Sequence, residues 1–136
     1  MKQLKYGFGI EMQLPFDEAQ PLVTNALREE GFDVLTEIDV SKTIREKLGA
    51  GLPPYVILGV CNPSLANRAL GEDIDIGLLL PWNVVLRQEG HSTLVSVLDP
   101  SIMSDMSGAP GSKAIADEAH QKLEWALEKA FDEYIE

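Results

Sequence analysis

Leu4, Tyr6, Phe8, Ile10, Met12 and Leu14 occupy every second position, which predicts a strand over residues 2–14 with one face on a core. Gly7 and Gly9 fall on the other face, where a neighbour's backbone can approach closely. From Phe16 the spacing becomes helical: Phe16, Ala19, Leu22, Val23, Ala26 and Leu27 share a face. Asp17 and Glu18 suit the N-terminal dipole, Gly31 is the stop, and Pro21 places the start of the helix close to itself. Phe32, Val34, Thr36, Ile38 and Val40 alternate again and predict a second strand over residues 32–39, with Asp33, Leu35, Glu37 and Asp39 opposite. Residues 41–49 read as a short helix capped by Ser41, with Ile44 and Leu48 inward and Gly49 at its end.

The middle of the chain, residues 53–86, holds the longest apolar runs. Residues 55–61 are apolar without alternation, the pattern of a central strand buried on both faces. Asn62-Pro63 breaks it, and residues 64–70 read as a short helix. A second apolar run, residues 76–80, ends at Pro81, so two buried strands each close on an Asn-bearing turn. Residues 83–88 and 92–99 predict a hairpin across Glu89-Gly90-His91. Residues 100–111 have no period and read as a loop, long enough for a lid or a dimer arm. The last helix spans residues 112–134, with Ile115, Ala119, Leu123, Ala126, Leu127, Ala130, Phe131 and Tyr134 in one stripe. Trp125 falls on the opposite, charged face, the placement of an interface anchor. Strict βαβ alternation is absent, so the predicted class is α+β: one domain over residues 1–136, a mostly antiparallel sheet covered by helices, and a long C-terminal helix.

Composition adds limits. The chain has 136 residues, of which 45% are hydrophobic and 24% charged, the make-up of one globular domain. Its 22 acidic residues against 11 basic give a formal charge of -11, which disfavours nucleic acid and anionic membrane surfaces as partners. One cysteine excludes an intramolecular disulfide. The N-terminus lacks the apolar stretch of a signal peptide, and no run approaches a membrane span, so the expected compartment is the cytoplasm.

Little of the sequence matches a catalytic pattern. There is no Gly-x-Gly-x-x-Gly before a helix, no phosphate-binding Gly/Lys/Ser loop and no Gly-x-Ser-x-Gly elbow. His91 and His120 have no second His or Cys at ligand spacing, and Asp73 and Asp75 lack the later ligands of a calcium loop. No metal and no cofactor is expected. Cys61 admits two readings: a small buried core residue, or a thiolate stabilised by the helix that begins after it. Asn62 and Asn83 sit at turns beside a proline, where an amide either satisfies turn backbone or lines a pocket. Glu37, Asp39 and Asp99 are the carboxylates placed to join them.

Several segments together resemble one family. These are Thr36-Glu37-Ile38-Asp39-Val40, Pro53-Pro54-Tyr55, Leu58-Gly59-Val60-Cys61-Asn62-Pro63, Asp75-Ile76-Gly77-Leu78-Leu79-Leu80-Pro81, Asn83-Val84-Val85 and Asp99-Pro100. In this order they are similar to the bacterial and archaeal domain of unknown function 302 family, over nearly the whole chain. The resemblance implies a compact α+β fold and a homodimer, with activity uncharacterised and genomic company in redox, sulfur or heavy-metal metabolism. The family pattern often has a cysteine immediately before Asn83; here Trp82 stands there, which weakens the case for a dithiol or metal pair. Three functions stay open. The first is a cytoplasmic, homodimeric small-molecule-binding domain with a pocket near Cys61, Asn62 and Asn83. The second is a thiol-dependent or single-Cys metal- or redox-linked protein using Cys61. The third is an interaction module using the C-terminal helix, with Trp125, and the loop from Ser101 to Gly111.

Overall fold

The computed structural model describes residues 1–135. Its centre is a six-stranded, fully antiparallel sheet in the order β1-β2-β6-β5-β4-β3. The strands are β1 (Lys2–Gln3), β2 (Gly7–Met12), β3 (Asp33–Asp39), β4 (Tyr55–Cys61), β5 (Trp82–Glu89) and β6 (Ser92–Leu98). The helices are α1 (Phe16–Glu29), α2 (Val40–Leu48), α3 (Pro63–Glu72), α4 (Ser101–Ser107) and α5 (Ser112–Ile135). The predicted α+β class and the long C-terminal helix both hold.

One face of the sheet makes the core. Phe8, Ile10 and Met12 of β2, Val56, Leu58 and Val60 of β4, Trp82, Val84 and Leu86 of β5, and Val95 and Val97 of β6 all point into it. Helices α1 and α5 lie on this face and on each other. Their inner stripes are rich in alanine (Ala19, Ala26, Ala116, Ala119, Ala126 and Ala130 are all buried), so the two backbones approach closely while Leu27, Leu123 and Leu127 fill the space towards the sheet. Alternation alone decides which half of each strand is buried, because every second side chain points away from the helices.

Several expected elements differ. The first strand breaks in two, since Leu4 N–H donates to Gly7 O at 2.8 Å and folds β1 back onto β2; Leu4 and Tyr6 are thereby left exposed. Helix α1 starts at Phe16, after Pro15, and Pro21 lies inside it, where its missing N–H would bond Asp17 O. Both residues are on the exposed side, where water can take that carbonyl. A bulge in β3 between Val34 and Thr36 reverses the alternation, so Thr36 and Ile38 face away from the helices and Glu37 and Asp39 face towards them. Helix α2 is capped by Asp39, not Ser41, and its Leu48 is exposed. Strand β4 is fully buried on one face only. Residues 74–79 form a 3-10 turn (Ile74–Leu79) instead of a strand, capped by Asp73 Oδ1 accepting from Asp75 N–H at 3.1 Å. Only Ile76 of it is fully buried, while Ile74 and Leu78 are exposed. The expected loop after Pro100 contains α4, started by Asp99 Oδ1 accepting from Ser101 N–H and ended by Gly108 at φ +68°.

The join between α1 and β4 is tied by one amide. Gly31 (φ +86°) ends α1, with Gly31 N–H on Arg28 O and Phe32 N–H on Leu27 O, the paired bonds of a Schellman stop. Asn62 is almost fully buried; its Nδ2 donates to Glu30 O at 3.3 Å, and its Oδ1 accepts from Leu65 N–H at 3.2 Å to cap α3. A Cβ on Gly31 would stand 2.9 Å from that Nδ2. We predict that Gly31→Ala lowers unfolding stability by about 1–3 kcal/mol, from left-handed strain plus the displaced amide. Urea denaturation reads it, and an unchanged midpoint contradicts this account.

Candidate functional site

The sheet's second face carries no helix, and the register fixes what it presents. One row across the strands is Gly9, Ser96, Val85, Ile57 and Ile38. The next row on one side is Glu11, Leu94, Arg87 and Tyr55. On the other side Gly7 pairs with Leu98, and Asn83 with Gly59, which in turn pairs with Thr36. Small residues lower the floor near β2, and this has a cause in the backbone. A Cβ on Gly7 would lie 1.8 Å from Val97 O, and one on Gly9 2.2 Å from Val95 O, so β2 and β6 approach too closely there for any side chain.

Above this low floor the connection between β1 and β2 forms a wall, held by Asp99 N–H donating to Tyr6 O at 3.0 Å. The result is a groove of about 360 Å³, lined by Leu4, Lys5, Tyr6, Tyr55, Asn83, Val85, Arg87, Ser96 and Leu98. That size suits a small ligand. Arg87 Nη1 bonds Glu89 Oε2 at 2.9 Å, with both side chains well exposed, and Lys5 Nζ stands 5.3 Å from the Tyr6 ring centre. The sequence signal for Arg87 was present in its alternation with Asn83 and Val85 on β5. Lys5, Tyr6 and Tyr55 are joined to it only by the sheet order.

The expected site residues do not converge. Asn83 lines the groove. Asn62 is spent on the α1–α3 join. Asp39 caps α2: the Lys42 N–H, first, and the Ser41 hydroxyl hold its carboxyl below the ordinary range. Glu37 is exposed and takes the Gln20 amide. Asp99 lies with His120, whose Nδ1 is 3.6 Å from Asp99 Oδ1 and whose Nε2 is 3.1 Å from Glu124 Oε2. Burial pushes the Asp99 carboxyl up, but the Ser101 amide and hydroxyl and His120 outweigh it, so its net shift is downward. The His120 ring also stacks on Phe8, with centres 4.6 Å apart. Trp125 is half exposed on α5.

Cys61 ends β4 on the open face, paired with Asp33. Burial, and then the Asp33 carboxylate, push its thiol up from its ordinary value. The helix that follows begins at Pro63 and does not reverse this. Trp82 pairs with Val60 and faces the helices, fully buried with its ring edge-on to Phe32 at 6.0 Å. Its Nε1–H has no acceptor among the described residues. Positions 61 and 82 therefore send side chains to opposite faces of the sheet.

A one-sided antiparallel sheet carrying two alanine-lined helices, with a groove on the bare face, defines a small α+β domain. The family model described as domain of unknown function DUF302 matches residues 8–130, and the chain belongs to that family. It is similar to the crystal structure of an uncharacterized conserved DUF302 protein from Bacillus stearothermophilus, with TM-score 0.86 and 30% identity, covering 93% of this chain and 99% of that chain. No curated protein matches the sequence.

We expect the Cys61 thiol to titrate above a free cysteine, and Asp33→Asn to lower its midpoint. The rate of iodoacetamide alkylation against pH measures both. A midpoint below that of free cysteine would reinstate a nucleophilic thiol.

Proposed function

We propose that the protein is a homodimeric small-molecule-binding domain of the cytoplasm, whose ligand occupies the groove on the bare face of the sheet. The observation that carries this is the groove itself, where a floor lowered by Gly7 and Ser96 lies beneath Tyr6 and Tyr55 and beside the Asn83 amide and the Arg87 guanidinium. Apolar walls with a few convergent polar groups are the usual make-up of a ligand site. The pocket expected near Cys61, Asn62 and Asn83 thus moves along β5, keeping Asn83 and losing the other two. The raised Cys61 thiol favours binding over thiol catalysis and, as a free thiol, suits a reducing compartment.

Thermal unfolding of the full chain against a metabolite library tests the groove. A true ligand at about 100 times its Kd stabilises the protein by roughly 2.7 kcal/mol. Ser96→Trp fills the groove from outside the core and should abolish that shift. A library without any hit, or a hit that survives Ser96→Trp, rejects the groove.

Self-association is supported by a separate observation. Trp125 is half exposed among charged neighbours on α5, a large apolar surface that a second subunit would cover. Trp125→Ala is expected to shift sedimentation from dimer to monomer with the fold intact. Identical profiles for the two proteins count against this contact.

A further inference from the structure

If the groove is a ligand site as proposed above, its lining also states the charge of the ligand. The protein carries 22 acidic and 11 basic residues, yet the groove contains Lys5 and Arg87 and, among the described residues, no aspartate or glutamate. The net charge of the protein therefore repels an anion, while the two cations of this groove attract it. Between the two cations the walls are apolar or aromatic, from Tyr6, Tyr55, Val85 and Leu98. We propose that the groove takes a small carboxylate with an apolar body, its carboxylate group on the Arg87 guanidinium and its body over Val85 and Leu98.

Arg87 is suited to this by its geometry. A guanidinium presents five N–H donors in a planar fork that matches a carboxylate. The bond to Glu89 takes Nη1 and lies at the exposed end of the β5–β6 hairpin, so it is well solvated and readily exchanged. Glu89 then acts as a resident competitor, holding the guanidinium until a ligand carboxylate replaces it. Another acid on this face, Glu11, is held by Lys2 at 3.0 Å at the β1 side of the sheet. Its carboxyl lies below the ordinary range through the Lys2 ammonium, first, and the Ser92 hydroxyl.

A phosphate fits this site less well. Phosphate sites are commonly built from free backbone N–H groups at a helix N-terminus or a turn. The N–H groups of β2, β5 and β6 here are engaged in the sheet ladders. A dianion would also meet about twice the repulsion from a protein of net charge -11.

The test is amide-resolved NMR titration of the full chain with benzoate, 3-phenylpropionate and hexanoate, each paired with its own amide, and with phenyl phosphate. Carboxylates are expected to shift the backbone signals of Val85, Ser96 and Leu98. The paired amides should bind roughly tenfold more weakly, as should the acids to Arg87→Gln. Glu89→Gln should bind the acids severalfold more tightly, a gain that no loss of folding can imitate. Equal binding of acid and amide, unchanged in Arg87→Gln, overturns the carboxylate assignment and leaves the groove standing. Phenyl phosphate binding tighter than every carboxylate also overturns it. Carboxylates that shift none of these signals overturn it as well, and the groove is then decided independently by the response of library hits to Ser96→Trp.

Discussion

Everything in this molecule depends on a sheet that is covered on one side only. Six antiparallel strands offer two faces, and the helices that complete the core all lie on one of them. The covered face is uniformly apolar and closes against alanine-lined helices, which fixes the depth of the core. The bare face has a different task, since it must remain compatible with water while keeping the β-branched and aromatic residues that strands prefer. Its composition is the compromise: Val85, Ile57 and Leu98 beside Ser96, Asn83, Arg87 and two glycines. A groove arises there because β2 and β6 approach too closely to admit side chains at Gly7 and Gly9.

The sheet's free edge is guarded by its own irregularity. Strand β3 has no partner on its outer side, a position that invites pairing with another chain. The bulge between Val34 and Thr36 and the charges of Asp33, Glu37 and Asp39 oppose such pairing. The same bulge turns Glu37 and Asp39 to the helical side of the sheet, the face opposite the groove. One local feature thus opposes edge pairing and keeps two carboxylates off the groove face.

The polar residues that stand out along the chain are mostly structural. Asp39, Asn62, Asp73 and Asp99 each follow a strand or a helix and each accepts a backbone N–H of the next turn. Capping needs the same residue types as binding, an oxygen acceptor on a short side chain at an element boundary, so spacing alone cannot separate the two. Cys61 illustrates the same ambiguity. Its position before a helix suggests an activated thiol, but the partner on the neighbouring strand is Asp33, and burial with an adjacent negative charge disfavours the thiolate.

The sequence by itself determined the α+β class, the β5–β6 hairpin, the stop at Gly31, the apolar stripe of α5 and the separate place of Trp125. Each is a matter of local period or backbone conformation, which neighbouring residues dictate. The short helix α4 and the 3-10 turn were hidden, because Asp99, which precedes the one, and Asp73, which caps the other, offer equally good turn readings. Only the tertiary structure decided which side chains of the middle of the chain share the groove. Asn62 turned inward to Glu30 O and Trp82 turned to the helices, while Tyr55, Asn83 and Val85 faced the groove. That groove joins residues from β2, β4, β5 and β6 with the connection before β2. Sheet order is set by how apolar faces pack together over long sequence separations, and no local pattern records it.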